Sequence, residues 1–343
     1  MNTTRPSVLI AGIAGASLGT ELLKCLIAAN RYVVYGCDVS PYAYGHYDGF
    51  EKTFLVDRTS YVGSVLEVCR KHRIEFVVPG ADEPSLLLSA SQHRFKESGV
   101  HVASNTPELV QRFSNKASTF ETLAALGFPT PQTLVVKTEE TVRQMNFPCV
   151  VKPVTGTGGS AYVFLASDAD EAQLYVRYIV KSGRQALLQE YVPHGDGEFT
   201  VGVVSYPDAT IATSIALRRL FEHKLSVLQR SSVGVISSGY SEGLIDAFPE
   251  VCDQAAAIAT AVGSKGPLNI QGRMRNGTFV PFEINPRFSA SVYLRTLAGV
   301  NEVDLYLHNV ITGERKPQPR IKTGYYLRSL TELFVEPERL LPH

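Results

Sequence analysis

Cys149-Val150-Val151-Lys152-Pro153-Val154 runs into Thr155-Gly156-Thr157-Gly158-Gly159-Ser160 and then into Ala161-Tyr162-Val163-Phe164-Leu165. The outer pieces are apolar and rich in β-branched or aromatic residues, so they predict two strands joined by a glycine-rich loop. A Walker loop joins a strand to a helix and carries Gly-Lys-Ser/Thr; this loop joins strand to strand and has no such lysine. A hairpin flap of this kind can fold over a triphosphate and offer backbone N–H groups to its oxygens, because no side chain blocks the approach. Lys152 is a charge among Val150, Val151 and Val154, costly to bury unless it meets an anion. The alternative is a lysine at a strand edge with its head in water.

Downstream, residues 186–192 (ALLQEYV) read as another strand, and a turn over 193–197 leads into a strand at 198–201. Residues 266–271 open a hairpin that returns over 278–284 into Asn285-Pro286-Arg287. Glu283 and Asn285 lie two apart on a strand, so both side chains share a face. A carboxylate and an amide oxygen there suit Mg²⁺, with nucleotide phosphates completing the shell. Gln271 joins them in one register only. A two-residue Asn276-Gly277 loop places it opposite Phe282, on the wrong face; a three-residue loop over 275–277, with Gly277 left-handed, places it opposite Pro281 and on the face of Glu283. The three-residue loop is the expectation.

Upstream, apolar runs at 7–11, 32–37 and 76–80 alternate with helical patterns at 18–29 and 61–71. Strands apolar on both faces between helices imply a parallel, doubly wound sheet. Gly12, Gly15 and Gly19 do not follow G-x-G-x-x-G, so a tight turn without cofactor is expected, although Asp38 ends the second strand where a ribose-binding acid would sit. Asp82 and Glu83 follow the third strand, and capping of the next helix is expected of them over substrate contact. The stretch from Ser114-Asn115-Lys116 through Phe120 to Gly127 reads as a helix ended by glycine, and Pro129 and Pro131 then mark a linker or boundary. Ser167-Asp168 reads as the cap of a further helix.

The 343 residues correspond to about two domains at roughly 150 each. Lys+Arg and Asp+Glu are both 33, and this neutral balance argues against nucleic acid or an anionic membrane as main partner. It leaves room for a local basic pocket. Cys25, Cys37, Cys69, Cys149 and Cys252 are odd in number and form no CxxC, so free buried thiols in a reducing compartment are expected. Glycines and charges interrupt the apolar N-terminal run, and no uncharged apolar run reaches the roughly 18 residues a membrane helix needs. A cytoplasmic, soluble protein is expected.

The ordered set VVKP, TGTGGS, LLQEYV, GEFTV, NIQ and EINPRFSAS resembles the ATP-grasp superfamily, nearest its carbamoyl-phosphate-synthetase large-chain and biotin-carboxylase-like branch. The likeness spans about residues 105–315, and the preceding unit resembles the pre-ATP-grasp domain of these proteins. The fold class so implied is α/β (α+β): a doubly wound parallel pre-ATP-grasp domain (1–105), then a two-lobed ATP-grasp fold with a small lobe carrying the flap (106–185) and a large lobe carrying the metal strands (186–343). The resemblance implies that Lys116 and Lys152 hold the α/β-phosphates under the flap of Gly156, Thr157, Gly158, Gly159 and Ser160. Glu190 C=O and Val192 N–H would meet the adenine edge, and Glu198 the ribose hydroxyls. Gln271, Glu283 and Asn285 match the metal-bearing positions, and Arg287 the arginine that stabilises the transferred phosphoryl or the carboxylate. Two departures stand out: Gly202 where many relatives have an acid, and Gln271 where many have Glu or Asp, which lowers the negative charge of the site.

The resemblance implies an ATP-dependent ligase that activates a small-molecule carboxylate as an acyl phosphate for attack by an amine, with release of ADP. Its cofactors would be ATP and Mg²⁺, with Mn²⁺ able to substitute, and a homodimer is compatible with it. A nucleotide-binding regulator without turnover, a bicarbonate-phosphorylating enzyme like carbamoyl-phosphate synthetase, and a nicotinamide oxidoreductase built on the first unit stay open. Arg218, Arg219, Arg230, Arg273 and Arg295 are either solvated or bind a substrate carboxylate. Residues 325–328 read as one more strand, continuing the same domain.

Overall fold

The computed structural model describes residues 5–15, 18–156, 162–222, 224–317 and 319–341. Its first sheet is parallel: β1 (Ser7–Ala11), β2 (Val33–Asp38), β3 (Lys52–Leu55), β4 (Phe76–Pro79) and β5 (His101–Val102), in the order β3-β2-β1-β4-β5. Four helices accompany it: α1 (Leu18–Ala29), α2 (Tyr61–His72), α3 (Asp82–Ala90) and α4 (Gln92–Glu97). Alternate residues of β1 serve opposite layers. Val8 and Ile10 pack with Leu22 and Leu26 of α1, while Leu9 and Ala11 pack with Val65, Leu66 and Cys69 of α2. This two-sided burial explains the uninterrupted apolar run.

The strand order reverses between β1 and β4, and the backbone is crowded there. A Cβ on Gly19 would lie 2.0 Å from the Gly12 carbonyl oxygen, and one on Gly80 2.1 Å from the same atom. Asp38 closes this turn: its carboxylate accepts the Ile13 N–H at 2.8 Å and the Ser40 N–H at 3.0 Å. The acid at the end of β2 is therefore occupied by backbone N–H groups.

After α5 (Pro107–Phe113) and α6 (Lys116–Ala125) comes an antiparallel sheet of β6 (Thr133–Val135), β7 (Cys149–Pro153), β8 (Phe164–Ala166) and β9 (Ala186–Glu190), ordered β6-β9-β7-β8. The α6 helix starts at Lys116, within the stretch the sequence marks, because Asn115 caps it, accepting the Ser118 N–H at 3.1 Å. The helices α7 (Glu139–Arg143) and α8 (Ala169–Lys181) cover the sheet, and Asp168 caps α8 through the Glu171 N–H at 2.9 Å. The strands β7 and β8 are antiparallel partners on either side of the glycine-rich loop.

The third sheet begins with β10 (Glu198–Ser205) and β11 (Ile211–Arg219). A small hairpin of β12 (Val227–Ser231) and β13 (Gly234–Ser237) precedes β14 (Gly243–Ile245) and α9 (Pro249–Ala261). Then come β15 (Pro267–Arg275), β16 (Thr278–Asn285), α10 (Val292–Leu297), α11 (Glu302–Thr312) and β17 (Gly324–Tyr326). The order is β16-β15-β10-β11-β14-β17, so the C-terminal segment does continue the same sheet. Phe199, Val201, Val203, Ile270 and Ile284 pack one face onto α9 and α6. On the other face Ile215, Leu217 and Ile245 lie under α10 and the residues after it, Val204 packs with Val303 and Tyr306 of α11, and Thr200, Asn269, Gln271, Glu283 and Asn285 make a polar stretch.

The β15–β16 hairpin corrects one expectation. Arg275 pairs with Thr278, so the loop is the two-residue Asn276-Gly277, with φ of +53° and +77°. Asn-Gly takes two successive left-handed positions readily, which favours this tight turn. A bulge then slips the register: Gly272 pairs with Pro281 but Gln271 with Glu283, leaving Phe282 as the extra residue. Gln271 thus reaches the face of Glu283 through the bulge, and Asn269 lies opposite Asn285.

All five cysteines are free and buried. Among the described residues no helix is long and apolar enough to cross a membrane.

Candidate active site

A cleft of about 1000 Å³ opens between the three sheets. One wall is the rim beyond β4, with Gly80, Ala81 and Asp82; another is β7 with residues 190–192; the floor is the polar face of the third sheet. Lys152 projects inward from β7 and is 5% exposed. Its Nζ donates to Gln189 Oε1 at 2.8 Å and to the Phe282 carbonyl at 3.1 Å, and lies 5.6 Å from the centre of the Phe120 ring. Among the described residues no carboxylate comes within ion-pair distance of it. Burial pulls its pKa down to about 7, Lys116 adds to the fall and Glu283 opposes it. The water-exposed strand-edge alternative does not hold.

Lys116 opens α6, and its N–H donates to the Val154 carbonyl at 2.9 Å; Asn115 bridges Thr155. These bonds dock the helix start against the end of β7, where the flap begins. Gly156 lines the cleft with φ +60°. Thr157, Gly158, Gly159 and Ser160 lie outside the described residues. Glu190, Tyr191 and Val192 form the opposite lip, and the Glu190 side chain accepts from Gln132 N–H at 3.0 Å and Arg275 at 2.5 Å.

Glu198 is placed differently from its expected ribose-binding role. It is 1% exposed, does not line the cleft, and accepts Arg273 Nε at 2.7 Å with Arg219 3.5 Å away. Two buried guanidiniums hold this carboxylate because neither charge could stay inside without it. Arg273 also donates to the carbonyls of Val192 at 2.5 Å and Val235 at 2.7 Å and stacks 4.7 Å over Tyr191. It is a brace joining the lip, the β12–β13 hairpin and β10. Arg295 is another buried arginine, paired with Glu302 at 2.6 Å. A Cβ at Gly202 would stand 2.0 Å from Glu302 Oε1 and 2.6 Å from an Arg295 terminal nitrogen, so the pair occupies the space of the side chain that Gly202 lacks. Arg218 and Arg230 line a separate cavity of about 360 Å³ with His194 and Phe221.

Gln271, Glu283 and Asn285 do meet on the cleft floor, with Asn285 Nδ2 3.2 Å from Glu283 Oε1. Asn269 lies beside them and accepts the Thr200 hydroxyl at 2.8 Å. The donor set is one carboxylate with amide oxygens. Among the described residues no group of three or more His, Cys, Asp or Glu could hold a metal. This chemistry fits a hard cation that arrives with phosphate oxygens, not one held by protein alone.

Arg287 also lines the cleft, and its Nε donates to Asp82 Oδ1 at 2.6 Å, 205 positions away in sequence. The expected cap of α3 by Asp82 does not form: Ala81 holds the cap position with no side-chain bond, and Asp82 reaches across the cleft instead. Sequence reasoning misses Gln189 and Asn269 as well. Gln189 is polar in an apolar strand, the same signal that singles out Lys152, and Asn269 shares the period-two face of Gln271. Asp82–Arg287 has no local signal.

Two family profiles match this chain: the RimK-like ATP-grasp domain over residues 113–213, and ATP-grasp in the biosynthetic pathway with Ter operon over 183–333. The carbamoyl phosphate synthase large chain of Rubrobacter xylanophilus is 25% identical over 249 residues, which cover 69% of this chain and 22% of that one. The chain spans about a fifth of the length of the curated relatives it matches. Among solved structures, the biotin carboxylase domain of Hydrogenobacter thermophilus 2-oxoglutarate carboxylase, with MgADP, ADP and bicarbonate, aligns at TM-score 0.67 and 14% identity, over 93% of this chain and 73% of that one. L-Amino acid ligase from Bacillus licheniformis aligns at TM-score 0.65 and 16% identity, over 90% and 75%. The chain carries an ATP-grasp domain, is homologous to carbamoyl phosphate synthase large chains, and shares the mixed α/β fold of the biotin carboxylase-like structures.

Proposed function

We propose that this chain is an ATP-dependent, ADP-forming ligase that joins a small carboxylic acid to an amine through an acyl phosphate. The observation that carries the reading is the meeting of Lys116, Lys152 and Arg287 with Gln271, Glu283 and Asn285 on one cleft. The family profiles and the named relatives support it. Units dividing near residues 105 and 185 belong to this proposal. So do a homodimer, the form of the 2-oxoglutarate carboxylase domain, and a reducing, cytoplasmic setting for the five free thiols.

In this reading the adenine edge meets the lip at residues 190–192, and the phosphates lie along Lys152 and Lys116 under the flap. Mg²⁺, or Mn²⁺ in its place, would be held by Glu283, Asn285 and Gln271 and would neutralise charge on the phosphate oxygens. The substrate carboxylate attacks the γ-phosphorus and ADP leaves. Lys116, Lys152 and Arg287 face the charge that spreads over the transferred group, and positioning with electrostatics carries the step. An amine then attacks the acyl carbon and phosphate departs.

The test is a matrix of acids against amines scored by ADP release, with hydroxylamine as a trapping amine. Acid-dependent ADP release with a hydroxamate product is the expected result, and its loss in Glu283→Ala is expected with it. Release that persists in Glu283→Ala would remove the metal role, and ADP release driven by bicarbonate alone would replace the ligase reading.

A further inference from the structure

We propose that the activated substrate is an α-amino acid, its carboxylate taken by Arg287 and its ammonium by Asp82. This rests on the ligase reading and narrows its substrate class. The pair joins the first turn of α3, at the rim of the first sheet, to the residue two beyond Asn285 at the end of β16. It stands where the strand order reverses between β1 and β4, the crevice in which open α/β sheets take ligands. The side chains are 17% exposed at Arg287 and 43% at Asp82, both facing the cleft, whereas Arg295 and Glu302 are sealed at 0% and 1%. An ion pair with one face to solvent can be exchanged for a ligand; a sealed one cannot.

Charge decides which ligand. Arg287 holds the Asp82 carboxyl below its ordinary range and Lys116 adds to this, so Asp82 is ionised at neutral pH and lies near the phosphate end of the cleft. The other carboxylates of the lining have other duties: Glu83 faces Arg58 at 3.6 Å, Glu190 holds Arg275, and Glu283 sits among the metal-type donors. A substrate bearing only a carboxylate must take Arg287 from Asp82 and leave that like charge unpaired beside it. A simple amine strands Arg287 in the same way. An α-amino acid replaces one ion pair with two, so neither residue is left unpaired.

Atoms and charge balance in both half-reactions. A substrate carboxylate oxygen bonds to the γ-phosphorus, the bond from that phosphorus to the β-bridging oxygen breaks, and ADP leaves. The ammonium keeps its proton on Asp82 and so cannot act as a nucleophile. The acceptor amine then bonds to the acyl carbon, the carbon–oxygen bond to phosphate breaks, and the spare amine proton passes to solvent.

The experiment compares hydroxamate formation from each of a panel of amino acids with its des-amino counterpart, such as alanine with propionate and glutamate with glutarate. The wild-type protein should prefer an amino acid on the order of 100-fold in kcat/KM. In Asp82→Asn the amino acid should lose and the des-amino acid gain, so that the ratio collapses, and Asp82→Glu should restore part of it. A merely structural role for Asp82 lowers both substrates together and leaves the ratio standing, which overturns the proposal. Equal use of des-amino acids by the wild type also overturns it while the ligase reading survives. Absence of hydroxamate from every acid removes the ligase reading and this inference together.

Discussion

Lys152 and Arg295 are both cations sealed inside this protein, 5% and 0% exposed, yet they are treated in opposite ways. Arg295 has a carboxylate of its own: Glu302 at 2.6 Å, with Ser291 Oγ at 2.9 Å. Lys152 has only neutral oxygens, from Gln189 and Phe282. Burial therefore pulls the Lys152 pKa down, while the Arg295 charge is answered within the fold. A buried cation with an internal counter-ion holds structure together. One with neutral partners, aimed into a cleft, is waiting for an external anion.

That contrast can be broken from either side. Arg295→Met leaves Glu302 buried and unpaired, and should cost about 3–5 kcal/mol of unfolding free energy, read by urea denaturation. Lys152→Met should act the other way. ADP release should fall on the order of 10²–10³-fold while the melting temperature holds or rises, because a desolvated charge has been removed. Equal loss of stability in both variants would erase the distinction. A smaller effect is expected at the edge of the structural pair: Gly202→Ala drives a Cβ into Glu302 and should cost about 1–3 kcal/mol, with activity per folded molecule maintained.

The smallest expected effect concerns protons. Lys152 has a pKa of about 7 in the folded chain against an ordinary 10.5, so between those values only the unfolded chain keeps the proton. Its contribution to stability therefore rises with pH across that window, and the rise should vanish in Lys152→Met. A bound triphosphate restores the charged form. Nucleotide binding at pH 8 should then take up about one proton, measured by calorimetry in buffers of different ionisation heat. Uptake unchanged in Lys152→Met would assign the proton elsewhere.

Much of the fold is legible in the sequence because it is local. Two-sided apolar strands between amphipathic helices announce the parallel sheet, and the Asp168 cap and β7 lie where propensity puts them, while β8 begins at Phe164, later than the run from Ala161 suggests. The candidate site is legible where a residue type breaks its surroundings: Lys152 among valines, Glu283 and Asn285 in alternation. Arginines mislead. Arg219, Arg273 and Arg295 read as surface or substrate groups, yet all three are buried with carboxylates that the sequence does not mark as theirs.

The amino-acid sequence by itself determined the strands that carry long apolar or alternating runs, among them β1, β2, β4, β7, β9, β15 and β16, which residues share a face within them, and that Lys152 breaks its apolar surroundings. Those follow from backbone sterics and a period of two, which act over a few residues. Only the tertiary structure decided that Glu198 turns inward to two arginines, that a bulge at Phe282 rescues the face of Gln271 after a two-residue turn, and that Asp82 meets Arg287 across 205 positions. Partners at that separation are chosen by how the sheets pack and by the cost of leaving a charge unpaired, and neither quantity is written in any one segment.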